Sequence, residues 1–290
     1  MPPKSPPNSK PAATTGSIPT PAPIPLPQKT AAAAKGFVTG PIKPMPPRLI
    51  IYAVEKWGKT TIGAFAPSPA IFMARNENGY ETLLSNDLVP DVPRISIDSW
   101  DELLTQLKGD LQGIKTIVLD ALGGFERLCH EKVCNEQFKG DWGERGFEGF
   151  KRGYDISIAE WLKVFPLLDN ISKNQNATIM LLSHYRTRTF KDPMGVDFDR
   201  YEPDCHPKTW SVTHKWVDAM LFGKFQTIIE DTNKLGKAKA IGGTNRVMHT
   251  TQSDAIVAGN RYRMAEKIRF PNEPSEMWST LHNAINKKEQ

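Results

Sequence analysis

An α/β fold with a mostly parallel central sheet and an antiparallel C-terminal extension is predicted by three features of the sequence. Four apolar runs (Leu49–Tyr52, Ala70–Ala74, Thr116–Asp120 and Ala177–Ser183) are separated by helical patterns. Runs apolar on both faces suit strands buried in a parallel sheet. Two of them end in polar residues that carry chemistry, at Gly58-Lys59-Thr60 and at Asp120. The C-terminal third instead reads as hairpins, with Lys234-Leu235-Gly236-Lys237 as a turn signal.

Composition sets the outer limits. With 290 residues and 39% hydrophobic content, one large domain with appendages is expected. No run of 18 apolar residues suggests a membrane span, and no apolar signal core is visible, so a cytoplasmic setting is expected. Three cysteines, Cys129, Cys134 and Cys205, fit a reducing compartment. With His130 and His206 they make a zinc site conceivable, but paired Cys-x-x-Cys spacing is missing.

Residues 1–47 hold 14 of the 24 prolines and five lysines without an acidic residue, which accounts for the whole net charge of +5. This stretch is expected to be a disordered basic tail, and the domain to run from 48 to 290. The remaining 32 basic and 32 acidic residues balance, so the basic pI describes the tail, which could add loose affinity for nucleic acid.

In chain order, Leu49–Tyr52 is the first strand and runs into Ala53-Val54-Glu55-Lys56-Trp57-Gly58-Lys59-Thr60-Thr61. This is a Walker A phosphate loop with alanine in place of its first glycine. Its backbone N–H groups would surround phosphates, Lys59 would reach the β- and γ-phosphates, and Thr60 would hold Mg²⁺. Alanine tolerates a left-handed turn poorly, so Ala53 is expected to turn right-handed or to carry mild strain.

The second strand, Ala70–Ala74, ends near Glu77. A carboxylate there could orient and deprotonate water, or serve only as a cap or turn residue. Pro93–Ile97 reads as a short strand. Ser99 caps the next helix, with Glu102 completing a capping box and Trp100, Leu103, Leu104 and Leu107 as its apolar stripe. Thr116–Asp120 then places Asp120 at a strand end as the Walker B acid, bound to Mg²⁺ mostly through water.

Residues 121–154 begin with a helical pattern through Val133. They continue into FKGDWGERGFEGFKRGY. Arg145, Lys151 and Arg152 lie among Trp142, Phe147, Phe150 and Tyr154, a mixture suited to bases and phosphates. The acidic residues between them suit an insertion that packs its own aromatics equally well. A helix over Ser157–Ser172 follows, then the strand ending at His184. A long loop is expected over 185–209, with Arg186, Arg188 and Lys191 clustered and Asp197, Asp199 and Glu202 balancing them, suited to substrate or strand binding or to a subunit contact. Ser211–Asp218 reads as a helix, Ala219–Ile229 as one or two strands, and Met277–Ile285 as a last helix. Lys237, Lys239 and Arg246 are candidates to reach a neighbouring subunit's γ-phosphate, with a solvated hairpin face as the alternative.

Together the phosphate loop, IFMARNENG, TIVLDALGGFE, FKRGY, IMLLSHYRTRTFKDPMG and DRYEPDCHPKTWSVTHKWVDAMLFGKF resemble the phage and prophage RecA-like ATP-binding proteins, a P-loop group of AAA type that includes single-strand annealing and recombination ATPases. TNRVMHT with GNRYRM extends the resemblance to about residue 270. It implies a RecA-like core that binds ATP and Mg²⁺, with Glu77 as the catalytic glutamate and His184 as a polar sensor. It also implies that 121–154 and 185–209 form the first and second DNA-binding loops. Single-stranded DNA, a ring or filament of identical subunits, and a single-strand binding protein are the implied partners. Ala53, Arg75 and Ala121 depart from the family pattern. The function expected is a Mg²⁺-dependent ATPase of phage-type recombination or repair. A helicase-loader or packaging motor and a non-hydrolysing ATP-binding scaffold are the alternatives.

Overall fold

The computed structural model describes residues 38, 40–193, 195–230 and 239–287. Most of the expected basic tail and Lys237 lie outside these. By its internal contacts the chain divides into residues 1–43 and 44–290, and every helix and strand described belongs to the second unit.

The elements, in order, are β1 (Arg48–Ala53), α1 (Lys59–Ala64), β2 (Pro69–Ala74), α2 (Gly79–Leu84), β3 (Arg94–Ile97), α3 (Trp100–Gln106), β4 (Thr116–Asp120) and α4 (Leu122–Phe138). After a short 3₁₀ turn come α5 (Arg152–Trp161), α6 (Val164–Gln175), β5 (Thr178–Ser183), β6 (Tyr185–Phe190), β7 (Phe198–Pro203) and α7 (Pro207–Trp216). The last elements are β8 (Ala219–Glu230), β9 (Lys239–His249), β10 (Gly259–Asn260), β11 (Lys267–Phe270) and α8 (Met277–Asn286).

The main sheet runs β11-β9-β8-β1-β5-β4-β2-β3, with β10 added to β8. From β3 to β8 every pairing is parallel; β9, β10 and β11 are antiparallel. The fold is therefore an α/β core on a mostly parallel central sheet with an antiparallel C-terminal extension. Its strands bury alternate residues on opposite faces, as their two-residue period requires. Ile50, Phe72, Leu119 and Leu181 face a cluster closed by Trp100, Phe125, Trp161 and Phe165 of α3 to α6. Leu49, Ile51, Ile71, Met73, Val118 and Leu182 face one closed by Ile62 of α1, Tyr80 of α2 and Met277 and Leu281 of α8.

Several local expectations change. The loop expected over 185–209 is an antiparallel hairpin, β6–β7, separate from the main sheet. Alternating Thr and Arg in YRTRTF give it strand periodicity without an apolar face, so it shows no core signal. Helix α7 starts at Pro207, not at 211, because proline suits the first helical position and the His206 ring accepts from the Lys208 N–H. The single helix expected over 157–172 is two helices, α5 and α6, broken around Leu162. Helix α2 adds to the predicted elements, with Tyr80, Leu83 and Leu84 at helical spacing. Ser99 caps α3 as expected, but Glu102 accepts from the Asp98 N–H rather than closing the box on Ser99. Residues 219–229 belong to one long strand.

The insertion 139–151 largely packs its own aromatics. Phe147 is fully buried with Val133, Cys134 and Phe138, and Tyr154 packs against it. Phe150 is fully exposed and Trp142 partly so. All three cysteines are buried free thiols, and among the described residues no cluster of ligands suits a zinc ion.

Two ties join β1 to β8. At the amino end, the Arg48 guanidinium grips both oxygens of Asp218 at 2.9 and 3.0 Å and also reaches Asp169. At the carboxyl end, Val54 N–H donates to the Gly223 carbonyl, and the Trp57 ring lies flat against Gly223. A Cβ at that glycine would come within 2.6 Å of the ring. Gly223 has no left-handed backbone to protect, so an alanine there costs only through this collision. Gly223→Ala is expected to lower stability by about 1–3 kcal/mol in chemical denaturation, the range for overpacking a close-fitting core. A midpoint unchanged from wild type would show that Trp57 yields freely.

Candidate nucleotide site

In an open parallel sheet, ligands collect at the carboxyl ends of the strands where the strand order reverses. Here β1 leads through α1 to β2, which lies beyond β5 and β4. The carboxyl ends of β1, β2, β4 and β5 consequently surround one cleft of about 510 Å³. Glu55 to Thr61, Glu77, Asp120 and His184 line it, together with Gly79, Leu83, Leu88, Arg246 and Pro274.

Ala53 resolves simply. It is the last residue of β1, fully buried and paired with Gly223 in the ladder. It is not among the positive-φ residues; the left-handed positions are Lys56 (φ 57°) and Gly58 (φ 112°). The strand runs one residue further than in a loop that turns at its first glycine, so alanine meets no strain. The turn is closed by Trp57 N–H to the Val54 carbonyl at 3.4 Å.

Lys59 and Thr60 open α1. The Lys59 ammonium is buried and donates to the Ala53 carbonyl at 3.2 Å, across the mouth of the loop. Burial holds its pKa below the ordinary lysine value, while Asp120, Glu77 and Glu55 pull it back up. The Thr60 hydroxyl donates to Asp120 Oδ2 at 2.7 Å. Burial raises the Asp120 pKa, partly offset by that hydrogen bond.

A magnesium ion takes hard oxygen donors and typically one or two protein ligands beside phosphates and water. The Thr60 hydroxyl and Asp120 carboxylate, in contact at the end of β4, fit that donor set.

Glu77 follows β2, and His184 follows β5. The His184 Nε2 lies 3.5 Å from Glu77 Oε1. This contact is the largest influence on His184 and raises its pKa above the ordinary 6.5; burial opposes it. The sequence-derived residues Lys59, Thr60, Glu77, Asp120 and His184 are thus brought into one cleft. Of the two departures besides Ala53, Arg75 pairs with Glu131 on α4 and points away from the cleft. Ala121 is buried at the start of α4.

The candidate nucleic-acid residues fall outside this cleft in two groups. Arg186, Arg188 and Lys191 are on the β6–β7 hairpin that leaves His184. Arg186 pairs with Glu202 across it, while Arg188 and Lys191 are exposed. Arg200 lies over the rings of Phe190 at 4.0 Å and Phe198 at 5.2 Å. In the second group Arg145, Lys151 and Arg152 are exposed on the insertion, with Arg152 stacked on Phe138. The groups adjoin: Tyr154 stacks on His206 at 4.0 Å, and Lys208 pairs with Asp155.

Lys239 opens β9 opposite Glu230, at the tip of the long hairpin. Arg246 sits elsewhere. Its Nε donates to the Trp57 carbonyl at 2.7 Å, beside this chain's own phosphate loop. Sequence reasoning passes over Leu83, Leu88 and Pro274, and it takes Trp57 only as one residue of the phosphate loop. Trp57 is the middle of a loop by motif, and only its size and apolarity hint at burial. Leu83 and Leu88 come with α2, which the sequence does not signal.

Comparison with known proteins is consistent with this geometry. The family described as an AAA domain matches residues 45–262. No curated protein matches the chain. Among 119 matching chains of solved structures is the crystal structure of the RadB recombinase, at 12% identity and a TM-score of 0.42, covering 80% of this chain and 90% of that one. The family match, which spans more than half of the chain, makes it a member of the AAA-domain family of P-loop NTPases.

Proposed function

We propose that this chain is a Mg²⁺-dependent ATPase of DNA recombination or repair, of the phage type, that binds single-stranded DNA and works as a ring or filament of identical subunits in the cytoplasm. One observation carries the ATPase reading: Lys59, Thr60, Glu77, Asp120 and His184, from four separate strand ends, line one cleft. Lys59 and the loop N–H groups bind and orient the triphosphate. Thr60 and Asp120 hold Mg²⁺, which when bound offsets charge on the phosphate oxygens. Glu77 accepts the proton of the attacking water, and His184 holds that carboxylate in place.

The DNA part is supported by the exposed Arg188 and Lys191 on the hairpin that begins one residue after His184, and by the adjoining insertion with its exposed Phe150. Cations beside exposed rings bind single strands with little sequence preference. A single-strand binding protein is the natural partner for such a substrate.

ATP hydrolysis measured with and without single-stranded DNA tests the whole reading. Hydrolysis should rise with DNA, and Glu77→Gln should lower kcat by about 10²-fold or more while nucleotide still binds. Hydrolysis indifferent to DNA would argue for a motor driven by a protein partner. Binding without turnover in the wild type would select a scaffold.

His184 gives a pH signature. Its pKa in the folded chain is raised, so the ion pair with Glu77 is fully present below about pH 6.5 and is lost as pH rises through the raised value. Protonated His184 competes for the carboxylate that must accept a proton. The rate should therefore climb with pH through a value above 6.5, and His184→Gln should lose that limb. A limb retained in His184→Gln would assign it to another group.

On the DNA side, Arg188→Ala with Lys191→Ala should weaken single-strand binding. The slope of log K against log salt should fall by about 0.7 for each phosphate that is no longer neutralised. An unchanged slope would remove the hairpin from the DNA path.

A further inference from the structure

The sequence makes Arg246 a candidate for reaching a neighbour's γ-phosphate, yet its guanidinium is committed at home. Nε donates to the Trp57 carbonyl at 2.7 Å and Nη1 to Asn272 Oδ1 at 2.8 Å. The same group lies 5.6 Å from the centre of the Phe225 ring. Two bonds in different directions from one rigid, planar, permanently charged group fix its orientation.

The carbonyl it holds is informative. A trans peptide is planar, and its C=O and N–H point in opposite directions. Holding the Trp57 carbonyl therefore sets where the Gly58 N–H points, and that N–H is one of the loop's phosphate-facing donors. Gly58 has φ 112°, a conformation only glycine adopts without strain, so nothing intrinsic to the residue would keep that plane in place.

The space beside Gly58 is filled as well. Met277, 2% exposed at the start of α8, packs over Gly58 so closely that a Cβ there would come within 2.9 Å of its methyl group. The Trp57 ring beneath is fixed by Gly223, by Phe270 at 5.1 Å, and by Nε1–H to the Lys224 carbonyl at 3.1 Å. Pro274 lines the same cleft. Asn272, Pro274 and Met277 all lie past residue 262, where the family match ends.

We propose that Arg246 is a positioning residue for this chain's own phosphate loop, and that through Asn272 it builds residues 271–277 into the nucleotide site. The proposal rests on the nucleotide-binding reading of the cleft. It assigns Arg246 to act in cis, and it makes the segment beyond the family match part of the site rather than an appendage.

The test is binding of a fluorescent N-methylanthraniloyl ATP to the full chain, at concentrations where light scattering shows a monomer. Wild type, Arg246→Ala, Arg246→Lys, Asn272→Ala and Lys59→Ala are compared. Arg246→Ala should weaken binding about tenfold or more, as expected when a charge-assisted hydrogen bond is removed. Arg246→Lys should fail to restore it, because an ammonium cannot make both bonds in one plane. Asn272→Ala should weaken binding in the same sense by less. If Arg246→Ala does not fold, the lysine variant carries the comparison, with circular dichroism confirming its fold. In a mixing assay, Arg246→Ala combined with Lys59→Ala should recover no ATP hydrolysis. Recovery on mixing would place the arginine in a neighbour's site and overturn the proposal. Wild-type affinity in both Arg246 variants would overturn it while leaving the nucleotide reading intact. Failure of the wild type to bind would instead bring down the nucleotide reading, and this role with it.

Discussion

The rest of the site depends on the burial of Trp57. A phosphate loop is a run of backbone with few side-chain contacts, and its N–H groups face a ligand only if something outside holds the chain in shape. Here a fully buried indole in the middle of the loop performs that task. Large aromatic side chains bury 150–250 Å²; at about 25 cal/mol per Å², that is on the order of 4–6 kcal/mol of favourable transfer before ordering costs. This outweighs any single hydrogen bond in the loop. The indole N–H is satisfied by the Lys224 carbonyl, so burial leaves no donor stranded. The loop is thereby fastened to β8, on the antiparallel side of the sheet.

This attachment gives the C-terminal extension its place in the molecule. Strands β9 and β11 extend the sheet beyond β8 and add Met248 and Phe270 to the buried cluster under α1, α2 and α8. They supply Arg246 and Phe270, which hold Trp57 by its carbonyl and by its ring. Gly223 is the small residue that lets the indole approach β8. These residues come from distant parts of the sequence and meet only because β8 lies beside β1.

The parallel core and the chemical residues are legible in the sequence for one physical reason. Strands buried on both faces must be apolar throughout, and the polar residues ending them stand out. Lys59, Thr60, Asp120, Glu77 and His184 each follow such a run. The β6–β7 hairpin reads as a loop because little beyond Tyr185 and Tyr201 at its base packs on the core, so its alternation of Thr with Arg carries no hydropathy contrast. Helix α2 escapes notice because six residues give little more than one turn of pattern. Ala53 draws attention as a substituted glycine, but its backbone is extended, and the left-handed turns fall at Lys56 and Gly58. A motif specifies which residues recur; it does not specify where the chain turns. The cis contact of Arg246 has no sequence signal, because a cation on a strand reads alike whichever subunit it serves.

His184 stands at the junction of the two surfaces. Its side chain meets Glu77 in the cleft, and its carbonyl accepts the Asp204 N–H at 2.9 Å, closing the base of the β6–β7 hairpin. That hairpin makes no ladder with the main sheet; its base packs Tyr185 and Tyr201 on Tyr52 and Phe222, while Thr187 to Phe190 are exposed. Segments with few buried contacts open at low free energy, and moving elements are drawn from them. On the proposed reading, a change of charge near Glu77 is felt first by the imidazole 3.5 Å away. The backbone of that same residue holds one end of the hairpin. No long relay is required: cleft and hairpin share a residue, and coupling needs only that the hairpin have two arrangements that His184 favours unequally.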